Sequence, residues 1–334
     1  MTPNLKLGLA LPFSPLFSMP QYLALVGQAE AAGYDTLWTG EVGGGDAVTT
    51  MAVLASHTTR ANIASGIFPV QTRTPIVLGM TAASLGHMAP GRIRLGLGVS
   101  SPIIVNQWNG LPYERPLDQL REAVQIIRAV IAGERVNFEG KFYRIRNFRL
   151  MQPPPPKPVP IYLGALGPRM LQLAGEIADG VLLNWISPES VPQSISQIEI
   201  GAKRAGRRVA DLEIAAFVRT LVTDDPAPAR AWLARDITGY VSVDSYARFF
   251  TACGFGAEVE AVNAAWKAGD RAGAVGQISE RFLDGLGVVG PAAFCRQRLG
   301  EFAKAGLTQP VVIPFSPDSD PKPTVARTLQ AVAA

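Results

Sequence analysis

The sequence predicts an α/β fold, a (β/α)8 barrel, on the strength of two observations. Eight short apolar segments are each followed by a segment with helical features, and this alternation is typical of a parallel sheet. The eight segments are nearly continuous apolar runs, as expected for strands that are covered on both faces. A doubly wound open sheet is the alternative, but it usually has about six strands, so the count favours the barrel.

The first half of the chain supplies four of these strands. They are predicted at 5–11, 35–41, 61–70 and 92–99. A helix around 20–32 separates the first two, and Gly33 is a suitable residue to follow its end. Asp46 is suited to cap the second helix, and Pro75 to open the third. A helix at about 116–131 follows the fourth strand.

The second half resumes the alternation after an interruption. Residues 133–158 contain a segment typical of a hairpin, GERVNFEGKFYRIRNFRL, and a stiff extended linker, PPPPKP. The other four strands are predicted at 159–165, 179–185, 211–223 and 309–315. A long helical stretch, about 226–305, contains a second irregular zone at 253–290. We therefore expect one barrel domain over residues 1–334, with insertions at about 133–158 and 226–290.

Composition narrows the classes of function. The 334 residues are 48% hydrophobic and 17% charged, which allows a large core and argues against disorder. A net charge of +4 is small for this length, so we expect a small-molecule substrate and neither nucleic acid nor a membrane as partner. Two separated cysteines predict no disulfide framework, which fits the cytoplasm. With only two histidines, we expect no metal site.

In a barrel of this type the active site lies at the carboxyl ends of the strands. The stretch GALGPRM, 164–170, places glycines before a helix N-terminus with Arg169 in its first turn. Free N–H groups and the helix dipole would suit an anion there. An ordinary strand-to-helix turn with a surface arginine would have the same sequence pattern. Glu41 directly follows a strand end, and its carboxylate is either a proton-exchanging group or a solvated loop residue. Phe68 and Trp185 are ligand-facing or core.

The stretch GLGVSSP, 96–102, raises the question of a dinucleotide-binding loop. Such a loop needs a third glycine and a helix that begins at once, whereas this stretch continues with two serines and Pro102. Structural glycines in a barrel strand are the plainer interpretation. The remaining possibility is the rim of a different active site.

Four segments in chain order carry a resemblance to a known family. They are LWTGEVGGGDAVTTMAVLA, GRIRLGLGVSSP, WNGLPYERPL and VPIYLGALGPRMLQLAGEIADGVLLNW. Together they resemble the bacterial-luciferase-like superfamily, and more closely its coenzyme F420-dependent branch, which includes methylene-tetrahydromethanopterin reductase. The resemblance runs from residue 5 to about 200 and is weaker beyond. It implies a barrel with insertions, in which a deazaflavin or flavin lies across the carboxyl end and carries a hydride between two substrates.

The resemblance also implies site residues. The third strand of this family often ends in a bulge with a non-prolyl cis peptide behind the cofactor ring, here Gly66 and Ile67. The loop after the fourth strand would lie near the ring, and the turn after the fifth strand near the phosphate. Glu41 corresponds to an acidic position beside the ring and is the expected catalytic residue. The expected cofactor-binding residues are Gly66, Ile67, Gly98, Val99, Ser100, Ser101, Gly164, Ala165, Leu166, Gly167, Pro168 and Arg169.

The chain departs from its relatives in one segment. They often carry a histidine before the glycine of WNG and an acidic residue three positions earlier, where this chain has Asn109 and Asn106. Substrate assignments are therefore not carried over. We expect an F420-dependent oxidoreductase, with an FMN-dependent monooxygenase as the alternative and a non-catalytic ligand-binding barrel as the second. The resemblance further implies a homodimer.

Overall fold

The computed structural model describes residues 5–11 and 17–333. The strands are β1 (Gly8–Ala10), β2 (Thr36–Thr39), β3 (Asn62–Ser65), β4 (Phe68–Pro69), β5 (Ile93–Gly98), β6 (Val136–Glu139), β7 (Arg144–Phe148), β8 (Ile161–Gly164), β9 (Gly180–Asn184), β10 (Glu213–Val222), β11 (Gly287–Gly290) and β12 (Gln309–Pro314). The helices are α1 (Met19–Ala31), α2 (Ala47–His57), α3 (Pro75–Met88), α4 (Pro116–Ile131), α5 (Pro168–Ile177), α6 (Val191–Arg204), α7 (Ala227–Val241), α8 (Asp244–Phe250), α9 (Gly256–Lys267), α10 (Arg271–Gly276), α11 (Glu280–Leu286), α12 (Ala292–Lys304) and α13 (Lys322–Ala333).

Eight parallel strands close into a barrel, which confirms the predicted fold. Their order is β1, β2, β3, β5, β8, β9, β10 and β12, and β12 pairs back with β1 through Gly8 and Val311. Each predicted strand contains its observed counterpart, and the predicted third strand divides into β3 and β4 around Gly66 and Ile67. The division matters because it lies at the carboxyl end of the barrel, where the site is expected.

Side chains alternate between the inside and the outside of the barrel wall along each strand. The interior is filled by Ala10, Trp38, Ala64, Tyr162, Leu182, Ala215 and Val311, with Ile67, Phe217 and Ile313 packed against them. Trp38 is the central group of this layer, since its ring lies edge-on to both Tyr162 and Phe217. Its indole Nε1–H donates to Gln309 Oε1 at 3.0 Å, so the buried donor is satisfied.

Several helix boundaries follow the local sequence. Asp46 caps α2, because its Oδ1 accepts from the backbone N–H of Thr49 at 2.7 Å. Pro75 occupies the first position of α3, where a missing N–H costs nothing. Gly33 follows α1 with φ of +87°, a conformation that glycine adopts without steric penalty. The sequence therefore predicts these ends correctly.

Two segments interrupt the regular alternation. Strands β6 and β7 form the antiparallel hairpin that the first irregular segment predicts. The second zone, 253–290, is mostly helical and ends in β11, a strand absent from the prediction. β11 pairs with β10 from Arg219 onward, on the side where β9 stops opposite Phe217. The insertion therefore extends the barrel wall above the end of β9. Within the described ranges, no helix is long and apolar enough to span a bilayer.

Candidate active site

We call the carboxyl end of the barrel the mouth. On four neighbouring strands, β2, β3, β5 and β8, the inward position nearest the mouth is a glycine. These four are Gly40, Gly66, Gly98 and Gly164. Their missing side chains leave space that neighbouring backbone and side chains approach closely.

The bulge, Gly66–Ile67, occupies part of this space between β3 and β4. Its peptide bond is cis, at the position that the family resemblance implies. A Cβ on Gly98 would lie 2.7 Å from Ile67 Cδ1, and one on Gly164 would lie 3.2 Å from Ile67 Cγ2. A Cβ on Gly40 would lie 2.8 Å from the carbonyl oxygen of Gly66. The glycines on the neighbouring strands thus make room for the bulge to fold into the mouth.

The loop after β5 lies beside the bulge. Val99, Ser100 and Ser101 are half-buried, and Ser100 has φ of +54°. The carbonyl of Ser100 accepts from the Tyr113 hydroxyl at 3.3 Å, so the loop is held from the side of the following segment. The residues then enter a π-helical turn, Ile103–Trp108. This arrangement fixes the loop while leaving part of its surface exposed at the mouth.

The turn after β8 leads into α5. Ala165 is buried and donates its N–H to Leu182 O at 3.0 Å, while Leu166 and Gly167 are half-buried. Gly167 caps α5, Pro168 takes the first helical position, and Arg169 is exposed in the first turn. A Cβ on Gly167 would meet no atom within 4 Å, so the space before the helix N-terminus is open. The unpaired N–H groups of a first helical turn favour an anion in such a space.

Glu41 is engaged by an arginine that the sequence analysis did not consider. Arg73 donates Nε to Glu41 Oε1 at 2.9 Å and Nη2 to Oε2 at 2.7 Å. The Ala47 N–H donates to the same Oε2 at 3.3 Å, and Arg73 also pairs with Asp46. A cleft of about 270 Å³ opens beside this group and reaches Ile104 and Asn109. Glu41 therefore holds an arginine at the edge of the mouth rather than standing free in solvent.

The opposite side of the mouth is polar. Asn184 and Arg219 continue the inward faces of β9 and β10, two residues beyond Leu182 and Phe217. Arg219 donates Nη1 to Asn184 Oδ1, and Asn184 Nδ2 donates to the Tyr246 hydroxyl at 2.8 Å. The Arg219 guanidinium carbon lies 3.7 Å from the centre of the Trp185 ring. Asn184 thus joins the barrel rim to α8, and Arg219 joins it to Tyr240 of α7.

Two aromatic residues that the sequence leaves as either ligand-facing or core, Phe68 and Trp185, belong to the core. Phe68 is fully buried in the main core, and Trp185 is 1% exposed within the core of the 227–286 insertion. Both histidines contact backbone carbonyls, His57 that of Val53 in its own helix and His87 that of Pro153, each at 2.9 Å. None of these four side chains lies in the glycine-lined half of the mouth.

Sequence reasoning missed Arg73 and Arg219. Arg219 had a usable signal, because it is the one charged residue inside the apolar run IAAFVRTLV and shares the inward periodicity of Phe217. Arg73 had none, since it reaches Glu41 across 32 residues of chain. Both arginines lie at the edge of the mouth, next to residues that were predicted to line it.

With this geometry established, comparison with known proteins is informative. The family model for luciferase-like monooxygenases matches residues 10–309. A putative coenzyme F420-dependent oxidoreductase of Mycobacterium tuberculosis is 31% identical, over 93% of this chain and 96% of that protein. The 5,10-methylenetetrahydromethanopterin reductase of Methanolobus tindarius is 29% identical, over 92% of this chain and 94% of that protein.

Solved structures agree with the fold. The coenzyme F420-dependent tetrahydromethanopterin reductase of Methanopyrus kandleri superposes with a TM-score of 0.79 at 23% identity, over 99% of this chain and 98% of that chain. The monooxygenase RslO1 of Streptomyces bottropensis gives 0.72 at 20% identity, over 98% of both chains. The chain is therefore an oxidoreductase that belongs to the luciferase-like monooxygenase family, within its coenzyme F420-dependent branch.

Proposed function

We propose that this protein binds coenzyme F420 and transfers a hydride between the deazaflavin and a small organic substrate. One observation carries the proposal: the bulge at Gly66–Ile67, seated among Gly40, Gly98 and Gly164, gives the mouth a floor of glycine backbone and the Ile67 side chain. A planar ring system fits such a floor. The 31% identity to a putative coenzyme F420-dependent oxidoreductase, over 93% of this chain, supports the same conclusion.

The residues around this floor fit the rest of such a cofactor. The half-buried loop of Val99, Ser100 and Ser101 would flank the ring. The open space before α5, with Leu166 and Gly167 below it, would take a phosphate. A negative charge there is favoured by the helix N-terminus. The other predicted cofactor contacts, Gly164, Ala165, Pro168 and Arg169, belong to this same turn.

When bound, a deazaflavin supplies or accepts a hydride, and the protein provides binding, orientation and proton exchange. Glu41 remains our proposed catalytic residue at the edge of the mouth. Arg73 binds both of its oxygens, which fixes the carboxylate in one orientation. This contact supports a role for Glu41 in orienting bound groups. Proton exchange by Glu41 stays a part of our proposal that turnover measurements must test.

An FMN-dependent monooxygenase is the second candidate. It is favoured by the description of the matching family and by the fold similarity to monooxygenases such as RslO1. In that case reduced flavin would react with oxygen, which deazaflavins do not do.

Direct binding measurements separate these candidates. Purified protein is titrated with F420 and, in parallel, with FMN, and binding is followed by cofactor fluorescence. We expect micromolar or tighter F420 binding and much weaker FMN binding. Preferred FMN binding with NAD(P)H-driven oxygen uptake would establish the monooxygenase instead. If neither cofactor binds at micromolar concentration, both the F420-dependent and the FMN-dependent function are ruled out.

Cellular context and assembly are further parts of the proposal. We infer a cytoplasmic enzyme, supported by two unpaired cysteines, Cys253 and Cys295. We also infer a homodimer, supported by exposed apolar side chains along α3, at Val77, Met80 and Met88. Size-exclusion chromatography with light scattering tests the assembly, and a strictly monomeric protein would contradict it.

A further inference from the structure

A polar cluster on the β9–β10 side of the mouth takes no part in the proposed cofactor contacts. It consists of Asn184, Arg219, Asp236, Tyr240 and Tyr246. The first two come from the barrel rim, and the other three from α7 and α8 of the insertion.

Hydrogen-bond donors exceed acceptors in the cluster. Arg219 is 7% exposed, and its guanidinium makes two hydrogen bonds, to Asn184 Oδ1 and to the Tyr240 hydroxyl at 3.4 Å. A guanidinium carries more N–H groups than these two bonds use. Its Nε lies 3.6 Å from Asp236 Oδ2, which is too long for a hydrogen bond. Beneath it, Trp185 Nε1–H is buried with no acceptor among the residues that the structure describes.

Asp236 is the exposed member of the charged pair. Its side chain is 28% exposed, against 8% for Arg219, so it is the more accessible of the two. Burial raises the pKa of Asp236, and the charge of Arg219 only partly opposes this rise. The other titratable groups that face it are Tyr240 and Tyr246, and burial raises the pKa of Tyr246 to about 12. With its raised pKa, Asp236 is therefore the carboxyl group of this cluster that can take up a proton as the pH falls.

The protonation state of Asp236 decides what the cluster can bind. With Asp236 ionised, its charge balances Arg219 and the cluster is neutral. With Asp236 protonated, the cluster gains one net positive charge and another donor, an O–H. Planar two-oxygen anions match the edge of a guanidinium, and one positive charge matches a monoanion. A carboxylate meets both requirements.

We propose that Arg219 and Asp236 form a subsite for a carboxylate group of the substrate, and that Asp236 takes up a proton from solvent when the anion binds. The assignment to the substrate rests on the proposed F420-dependent function. The subsite selects organic acids among possible substrates, because a neutral molecule would leave the spare N–H groups of Arg219 less well satisfied.

Benzoate is the probe for this subsite, and benzamide is its neutral control. Binding to the F420-saturated protein is measured by calorimetry between about pH 5 and pH 8, a range in which benzoate itself stays largely ionised. We expect benzoate to bind at least about tenfold more tightly than benzamide, with the affinity falling by up to about tenfold per pH unit as Asp236 loses its proton. Proton uptake on binding is read from the dependence of the heat on buffer ionisation.

Two variants test the roles of the pair. Asp236→Asn keeps the size and a donor but cannot titrate, so benzoate binding should lose its pH dependence. Arg219→Gln should weaken benzoate binding at least about tenfold. If this variant does not fold, Asp236→Asn alone decides. The matched control is Asp211→Asn, which removes an exposed partner of Arg208 just before β10 begins, and should behave like the wild type.

Three results would overturn the proposal. They are the absence of benzoate binding at millimolar concentration, unchanged pH dependence in Asp236→Asn, and displacement of benzoate by F420, which would give the anion site to the cofactor. A protein that binds no F420 refutes the proposed function instead, and benzoate calorimetry on the unloaded chain still decides whether the subsite exists.

Discussion

Gly40 offers the sharpest test of how the mouth is built. It is the residue after β2, and a Cβ added there would lie 2.8 Å from the carbonyl oxygen of Gly66. That oxygen belongs to backbone and not to the end of a flexible side chain. Replacing Gly40 by alanine therefore requires the bulge at Gly66–Ile67 to move, because an ordinary carbon–oxygen contact needs more than about 3.3 Å.

Two opposing effects set the size of the change. Overpacking a filled site usually costs about 1–3 kcal/mol. Replacing glycine by alanine also restricts the unfolded chain, which stabilises the protein by about 0.4–1 kcal/mol where the backbone conformation allows it. We expect Gly40→Ala to lower the free energy of unfolding by about 1–2 kcal/mol. We also expect at least about tenfold weaker F420 binding, because the floor of the mouth is displaced.

The matched control is Gly27→Ala. Gly27 lies exposed inside α1, and a Cβ there would meet no atom within 4 Å. The same chemical change should stabilise the protein by about 1 kcal/mol, since alanine is the better helix former. Urea unfolding followed by tryptophan fluorescence measures both variants. If Gly40→Ala matched the wild type in stability and in F420 affinity, our account of the glycine-lined mouth would be wrong.

Three further predictions concern single side chains. Gly167→Glu should weaken F420 binding at least about tenfold, with little change in the free energy of unfolding, because it adds a negative charge in the open space before α5. Gly167→Gln, which adds similar bulk without the charge, should weaken F420 binding less. Equal affinities of the two variants in fluorescence titrations would contradict this placement of the phosphate. Glu41→Gln keeps its size but exchanges no proton, so F420-dependent turnover should fall at least about tenfold while F420 affinity changes less; unchanged turnover would exclude a catalytic Glu41. Burial alone would raise the pKa of Glu30, but hydrogen bonds from the N–H groups of residues 59–61 outweigh it and lower that pKa. Glu30→Gln should therefore lower the free energy of unfolding by about 1 kcal/mol at pH 7, a modest cost because solvent screens the group. The cost should fade as the pH falls below the ordinary glutamate pKa and through the lowered pKa of Glu30. A cost in urea unfolding that persists in strong acid would contradict the charge-based explanation.

Much of the fold could be predicted because its signals are local. The alternation of apolar runs with helical segments predicts eight parallel strands, and Asp46 and Gly33 mark helix boundaries through contacts within a few residues. β11 escaped prediction because GVVG is short and glycine-flanked, and only its pairing with β10 makes it a strand. Strand pairing is a long-range property, so no local sequence pattern indicates it.

The candidate site likewise has a part that the sequence predicts and a part that depends on long-range contacts. The sequence predicts which segments meet at the mouth, because carboxyl ends of barrel strands must lie together. It also supplies the resemblance that points to Gly66–Ile67, where the structure has the bulge. It does not reveal that Arg73 binds Glu41, or that α7 brings Asp236 to Arg219, since these pairs are 32 and 17 residues apart.

The barrel, the strand ends that form the mouth and the family can all be inferred from the linear sequence, because they depend on strand and helix periodicity and on the order of motifs. What each polar group at the mouth does depends instead on the folded arrangement. Barrel closure sets which inward side chains become neighbours, and the charge and burial of a group such as Asp236 depend on those neighbours rather than on the residues beside it in the sequence.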